Sequence, residues 1–256
     1  MASTLPFIGL HYWAGSGRAF DGVAALLAPD YRLLAPDLPG FGAAPSLADA
    51  SVAAYTDHVA HFIARQHLRG YVLVGHSMGG KIALNLAARQ PAGLAGVVLL
   101  SPSPPGPEPM SETDRQAALR AYGHAGEAEK TLHKITARPL PEAIQEQIVQ
   151  DNLRTSRAAW DAWLRQGSRE DISADMDKIR VPCLVLVGDQ DPVLSAAVQR
   201  THTLPLLPPG TTLQRIPGAG HLLPYEAPEA VAALLRAFER QRHGGWPRSF
   251  FQTRAV

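Results

Sequence analysis

The sequence contains few of the features that mark disulfide-stabilised, membrane-spanning or nucleic-acid-binding proteins. Its only cysteine is Cys183, so no internal disulfide can form, and the apolar residues around it predict a buried, inert thiol. The 24 basic and 23 acidic side chains give a formal net charge of +1, which favours neither nucleic acid nor an anionic membrane as a partner. No apolar run approaches the length of a membrane span, and residues 1–6 lack the basic and apolar regions of a secretory signal. We therefore expect a cytoplasmic protein.

Signals for bound metals, bound cofactors and repeated modules are missing as well. The histidines and carboxylates do not occur at the spacing of zinc ligands. No phosphate-binding glycine fingerprint and no internal repeat is present. We expect no metal and no cofactor, and nothing in the sequence fixes an oligomeric state. At 256 residues, the chain is long enough for one large core with an insertion.

A serine between two glycines, directly after an apolar run, is the most informative feature present. Residues 71–74 are apolar, which is typical of a buried parallel strand. Gly75, Ser77 and Gly79 follow at the G-x-S-x-G spacing, and the next residues have helical periodicity. A strand, a tight turn and a helix form the context in which this motif exposes a serine hydroxyl above a sheet. The pattern predicts Ser77 as a nucleophile, with the N–H of Met78 facing the same space at a helix N-terminus.

Apolar strand-like runs alternate with helical patterns through most of the chain. This alternation predicts an α/β fold with a mostly parallel central sheet and helices on both faces. In such sheets, sites lie at the carboxyl ends of the strands. The expected strands are residues 5–10, 31–35, 71–74, 97–100, 183–187 and 212–216.

The composition changes after the fourth expected strand. Residues 102–109 include five prolines, and the following sixty or so residues show helical patterns without a convincing strand. We interpret 102–173 as a helical cap inserted into a core made of 1–101 and 174–242. Residues 243–256 form a poorly patterned tail, either disordered or docked.

Two tryptophans of the insertion, Trp160 and Trp163, are three residues apart and so share one helix face. They either roof a pocket or pack the insertion onto the body, and the second role is the more common one. Trp246, Phe250 and Phe251 are unusual residues for a free tail, and docking on the body or on a neighbouring subunit is one interpretation of them.

A serine hydroxyl becomes an effective nucleophile only when a base takes its proton and a carboxylate orients that base. Of the ten histidines, His221 alone follows a late strand, in a Gly-Ala-Gly-His loop. Asp189 and Asp191 share the loop after the preceding strand. We favour Asp191, because Pro192 fixes the chain direction behind it and Asp189 suits a local turn.

Together these motifs resemble those of the α/β-hydrolase superfamily, from about residue 5 to residue 240. The resemblance implies a triad of Ser77, Asp191 and His221 and a helical cap. It also implies an oxyanion hole formed by the backbone N–H groups of Trp13 and Met78. The segments that carry it are His11 with its glycine-rich loop, 36–42, 75–80, 188–191 and 218–221.

The sequence departs from the superfamily pattern in two places. Tyr12 stands where the loop after the first strand usually has a glycine, and the two antiparallel strands that commonly open the fold are missing or truncated. Tyr12, Trp160 and Trp163 are the candidate substrate-binding side chains.

Hydrolysis of a small or medium carboxylic ester through an acyl-enzyme is the leading expectation, with a small molecule as the partner. Carbon–carbon hydrolase, thioesterase, cofactor-free haloperoxidase and hydroxynitrile-lyase-like chemistry remain alternatives, as does a non-catalytic receptor that retains the triad. Lys81 would suit a lyase pocket, but its place in the first turn of the predicted helix favours a surface or supporting role.

Overall fold

The computed structural model describes residues 4–243, and their centre is a six-stranded sheet in which every neighbouring pair is parallel. The strands are β1 (Phe7–Leu10), β2 (Leu33–Leu34), β3 (Tyr71–His76), β4 (Leu94–Leu100), β5 (Cys183–Gly188) and β6 (Thr212–Ile216). Their order in the sheet is β2-β1-β3-β4-β5-β6, and each expected strand is present. β1, β3 and β5 are buried along their whole length, which is why they appear in the sequence as continuous apolar runs.

Helices cover both faces of this sheet, as the alternating pattern predicts. Successive side chains of a strand point to opposite faces. Leu73 therefore packs with one apolar layer, shared with the helices at 52–65 and 78–88, while Val72 packs with the other, shared with the helices at 21–27 and 228–243. The predicted fold class is confirmed. The helices are α1 (Asp21–Leu27), α2 (Val52–Arg65), α3 (Met78–Ala88), α4 (Glu112–Arg120), α5 (Ala125–Ile135), α6 (Glu142–Arg154), α7 (Arg157–Arg165), α8 (Ala196–Val198), α9 (Leu223–Glu226) and α10 (Pro228–His243).

The register of the sheet brings the loops of interest to one edge. Leu10 at the end of β1 is aligned with Gly75 near the end of β3, and Gly188 at the end of β5 is aligned with Ile216 at the end of β6. The segments that follow these four strands therefore emerge side by side.

Four helices, α4 to α7, lie between β4 and β5, and residues 102–173 contain no strand. The division into a core and a cap at residues 102 and 173 stays a prediction.

Asp151 of α6 is buried and joins this region to the segment before α1. It pairs with Arg18 at 2.5 Å and with Arg154, and it accepts a hydrogen bond of 2.7 Å from the Ser16 hydroxyl.

α2 is capped by Ser51, whose hydroxyl accepts from the N–H of Ala54. The segment after β5 contains the short helix α8, then a π-helical turn, Gln199–Thr203, and a 3₁₀ turn that contains Pro205. The tail at 243–256 is described only at His243, where α10 ends, so Trp246, Phe250 and Phe251 lie outside the structure.

None of the helices within residues 4–243 is both long and apolar enough to cross a membrane. Cys183, at the start of β5, is buried as expected. Burial raises the pKa of its thiol to about 12, so the thiol stays protonated near neutral pH.

Candidate active site

Ser77 occupies a strained turn between β3 and α3. Its φ of 52° and ψ of −116° lie in a region that side-chain-bearing residues rarely adopt. The turn is possible because its glycines let backbone segments approach closely. A Cβ atom at Gly75 would lie 2.5 Å from the carbonyl oxygen of Gly79, and one at Gly79 would lie 2.2 Å from that of Leu10. These glycines therefore allow the backbone conformation that holds Ser77 above the carboxyl edge of the sheet.

The structure brings Ser77, His221 and Asp191 together in one hydrogen-bonded chain. The Ser77 hydroxyl lies 3.0 Å from Nε2 of His221, and Nδ1 of His221 lies 2.9 Å from Oδ2 of Asp191. Since the carboxylate can only accept, Nδ1 carries the proton and Nε2 is free to accept from the hydroxyl. This tautomer is the one in which histidine can act as a base toward serine.

Asp191 and its neighbour Asp189 have different surroundings. Oδ1 of Asp191 accepts from the N–H groups of Val193 and Leu194, at 2.8 and 3.0 Å, which leaves Oδ2 for His221. Oδ1 of Asp189 instead accepts from the N–H of Gly218 at 2.7 Å. Asp189 therefore holds two loops together, and the geometry supports Asp191 as the partner of the histidine.

Burial and charge act in opposite directions on this pair. Burial alone would raise the pKa of Asp191, but the charge and hydrogen bond of His221 hold it well below its usual range. Burial alone would lower the pKa of His221, but the carboxylates around it, Asp191 foremost, together outweigh burial and raise it. Asp191 is thus ionised, and its negative charge favours the protonated form of His221.

Two other buried histidines support the loops around the site. Nε2 of His76 donates to the carbonyl oxygen of His221 at 2.8 Å, and burial together with the charge of His221 lowers its pKa to about 3. His11 accepts from the N–H of Leu38 at 2.9 Å and donates to the carbonyl oxygen of Tyr12 at 2.8 Å. Burial lowers the pKa of both imidazoles, so both are neutral near neutral pH, and each hydrogen-bonds the backbone of a loop next to the site.

Tyr12 fits into the loop after β1 because of a neighbouring glycine. A Cβ atom at Gly15 would lie 2.4 Å from the Tyr12 ring, so the ring occupies the space that a side chain would need. The ring also packs on His76, with centroids 5.2 Å apart. Gly15 is the sequence signal that explains how a tyrosine replaces the usual glycine.

The oxyanion role of Met78 and Trp13 stays a prediction. Met78 is the first residue of α3, so its N–H has no partner within the helix. Trp13 lies in the turn closed by the hydrogen bond from Gly15 to Tyr12, and it lines the same cavity as Ser77.

A cavity of about 470 Å³ opens beside Ser77 and His221. Its walls include Leu132 and Ile135 of α5 and Ile148 of α6, apolar residues of the insertion that the sequence did not mark as pocket residues. These side chains repeat with helical periodicity like any packing residue, so the sequence carries no signal of their position.

The two tryptophans of α7 have different environments. Trp163 lines the cavity, whereas Trp160 packs on Trp13, with ring centroids 4.2 Å apart, and donates from Nε1 to the carbonyl oxygen of Ala118. Trp163 thus supports the pocket interpretation, and the geometry of Trp160 supports a packing role within the insertion.

Lys81 is fully buried, so the surface alternative for it is wrong. Its ammonium donates to the carbonyl oxygens of Gly106 at 2.9 Å and Glu170 at 2.7 Å, and burial lowers its pKa to about 8. The side chain joins the first turn of α3 to the region between β4 and β5. Among the described residues, no group of three or more histidine, cysteine or acidic side chains is arranged to hold a metal ion.

Comparison of the sequence with those of known proteins finds relatives that are named as enzymes. The chain is 30% identical over 247 residues to 2-succinyl-6-hydroxy-2,4-cyclohexadiene-1-carboxylate synthase of Enterobacter sp. (strain 638), an alignment that covers 91% of each protein. It is 27% identical over 199 residues to pimeloyl-[acyl-carrier protein] methyl ester esterase of Nitrosomonas europaea, covering 73% of this chain and 77% of that enzyme.

Solved structures agree on the fold. An esterase from Exiguobacterium antarcticum superimposes with a TM-score of 0.83 over 94% of this chain and 93% of its own, at 19% identity. The model of the alpha/beta hydrolase family matches residues 9–234, from within β1 to within α10. The chain therefore belongs to the alpha/beta hydrolase family.

Proposed function

We propose that the protein is a serine hydrolase that cleaves a small or medium carboxylic ester through an acyl-enzyme on Ser77. The observation that carries the proposal is the chain of hydrogen bonds from Ser77 through His221 to Asp191, at 3.0 and 2.9 Å, which opens onto a cavity of about 470 Å³. A cavity of this size suits a small organic substrate.

The reaction uses each of these groups in turn. His221 accepts the proton of the Ser77 hydroxyl while Oγ attacks the ester carbonyl carbon, and the carbonyl electrons move onto oxygen. The N–H groups of Met78 and Trp13 stabilise that oxyanion. The intermediate then expels the alcohol, which takes the proton from His221. Water repeats the sequence on the acyl-enzyme and releases the acid.

The relatives support this class of substrate without fixing the substrate itself. One is named as a methyl ester esterase and aligns in sequence over 77% of its length, and another is named as an esterase and superimposes over 93% of its chain. The apolar cavity walls contributed by α5 and α6 suit an acyl chain. A panel of esters with acyl groups of increasing length would identify the acyl group that fits best.

A second candidate is chemistry in which the same base and oxyanion donors act on a substrate other than an ester. A relative with 30% identity over 91% of the chain is named as a synthase rather than a hydrolase. Turnover of cyanohydrins or diketones, with no turnover of esters or thioesters, would favour this candidate.

Substitution of the nucleophile tests the proposal directly. Ser77→Ala removes the attacking oxygen, so we expect turnover of p-nitrophenyl butyrate to fall roughly 10⁶-fold, to background, as for a lost triad serine. Ser46→Ala, outside the cavity, is the control and retains wild-type rates. Turnover that survives in Ser77→Ala would overturn the assignment.

A fluorophosphonate probe separates the enzyme from a receptor with the same fold. We expect the probe to label wild-type protein at Ser77 and to leave Ser77→Ala unlabelled. Labelling without turnover of any ester, thioester, diketone or cyanohydrin would contradict the hydrolase proposal and favour a ligand receptor.

A further inference from the structure

A buried carboxylate on α9 binds only backbone groups. Glu226 is 5% exposed, and its two oxygens accept hydrogen bonds from four main-chain N–H groups. Oε1 accepts from Leu222 at 2.9 Å. Oε2 accepts from Gly220 at 2.9 Å, Ala137 at 2.7 Å and Arg138 at 3.1 Å. Hydrogen bonds to an ionised acceptor are stronger than neutral ones, so this is a firm attachment.

The four N–H groups belong to two parts of the chain that are far apart in sequence. Gly220 and Leu222 flank His221 on either side, whereas Ala137 and Arg138 open the connection between α5 and α6. A single carboxylate therefore joins the loop of the proposed base to the helices that wall the cavity.

Other contacts at the same junction reinforce it. The N–H of His221 itself donates to the carbonyl oxygen of Ile135, the last residue of α5, at 2.8 Å. A Cβ atom at Gly220 would lie 2.6 Å from that same oxygen, so the approach requires glycine. The Arg138 side chain donates to the carbonyl oxygens of Pro217 and Gly218, at 2.6 and 2.9 Å.

We propose that Glu226 is a positioning residue that aligns His221 with Ser77 by fixing the base loop against the end of α5. The inference rests on the proposed function, because it assigns Glu226 a role in the step in which His221 takes the serine proton. His221 must hold one rotamer between Ser77 and Asp191, and a displacement of its backbone by a fraction of an ångström lengthens both hydrogen bonds.

Glu226 also belongs to the charges around the base. Burial acts to lower the pKa of His221, and the carboxylates of Asp191, Glu108 and Glu226 act against burial and raise it. His76, packed on the imidazole at 5.4 Å between ring centroids, is neutral and adds no opposing charge. Loss of the Glu226 charge therefore lowers the pKa of His221, and this provides a readout that a general loss of packing would not give.

Glu226→Gln is the principal test, since the side chain keeps its shape while its NH₂ group cannot accept a hydrogen bond. We expect kcat for p-nitrophenyl butyrate to fall about 10- to 100-fold with KM within roughly threefold, because a misaligned base slows the chemical step rather than binding. Fluorophosphonate labelling of Ser77 should slow to a similar degree. The acid limb of the kcat/KM profile should move to lower pH.

Two matched variants separate alignment from charge. Glu226→Asp keeps the carboxylate but is too short to reach both loops, so its kcat should fall while its acid limb stays nearer the wild-type position. Glu229→Gln removes an exposed carboxylate three residues away, on α10, and should match wild type. Should Glu226→Gln not fold by circular dichroism, Arg138→Gln weakens the same junction from its exposed side and carries the same expectation for kcat.

The outcomes distinguish this inference from the proposed function. An active wild type with a Glu226→Gln variant that behaves like Glu229→Gln overturns the positioning role alone. A wild type that neither reacts with the probe nor turns over any ester overturns the proposed function, and the positioning role with it.

Discussion

At the scale of single residues, the raised pKa of His221 sets the pH range in which the proposed base can work. Only the neutral imidazole accepts the Ser77 proton, so activity appears as pH rises through the pKa of His221. Burial acts to lower this pKa, but the carboxylates around the imidazole, Asp191 foremost, together raise it above its ordinary value of about 6.5. We expect the acid limb of kcat/KM for p-nitrophenyl butyrate to have its midpoint above pH 6.5. A midpoint below that value would contradict the charge balance inferred for the site.

The residues of the proposed triad were predictable because each follows a strand in a short loop with a distinctive composition. Ser77 lies between two glycines, His221 follows a Gly-Ala-Gly segment, and Asp191 is followed by a proline. Glu226 and Lys81 were not predictable in their roles. Each binds backbone groups that lie close only after the chain has folded, and a side chain that binds backbone leaves no pattern in the partner's sequence.

At the scale of secondary-structure elements, the β3–α3 turn depends on the absence of a side chain at Gly79. A methyl group there would meet the Leu10 carbonyl oxygen at 2.2 Å, and neither backbone segment can move without disturbing the sheet. We expect Gly79→Ala to lower the free energy of unfolding by about 2–3 kcal/mol, as measured by urea denaturation, because overpacking against backbone forces displacement.

Gly126, in the first turn of α5, is the matched control for that substitution. A Cβ atom there has no neighbour within 4 Å, so alanine should stabilise the helix by roughly 0.5–1 kcal/mol. A destabilisation of equal size at both glycines would mean that close backbone approach is not what requires Gly79.

Elements whose pattern reflects burial were the ones that sequence predicted well. β1, β3 and β5 are apolar along their length because both faces of the sheet are covered there, and all six strands agree with their expected positions to within a few residues. The segment after β5 was harder. The apolar spacing there resembles that of one continuous helix, whereas the structure has α8, a π-helical turn and a 3₁₀ turn. Gln199, in the π-helical turn, is buried and donates from its side chain to the carbonyl oxygens of Pro102 and Leu194. Pro205 lies in the 3₁₀ turn.

At the scale of the whole molecule, the buried Asp151 attaches α6 to the segment before α1, at Ser16 and Arg18. Asp151→Ala removes its ion pairs with Arg18 and Arg154 and leaves the Ser16 hydroxyl without its acceptor. Because both arginines remain partly exposed and can be hydrated again, we expect a loss of roughly 2 kcal/mol in the free energy of unfolding.

Asp57→Ala serves as the comparison in the same urea experiment. It removes an aspartate–arginine pair with Arg89 in which the Asp57 side chain is 60% exposed, and such pairs contribute about 0–1 kcal/mol. Equal losses in the two variants would show that burial of Asp151 does not add to the attachment.

The contact between His221 and the last residue of α5 has a consequence for how such a protein can diversify. A wall of the cavity and the alignment of the base share one piece of main chain around Ile135 and Arg138. Replacing these helices with those of a relative, in order to change the substrate range, would therefore also change the backbone contacts that position His221. Substitutions at the cavity-facing side chains of α5 and α6 leave those backbone contacts in place. We therefore expect a change of specificity to arise from single substitutions at these side chains rather than from exchange of the whole insertion.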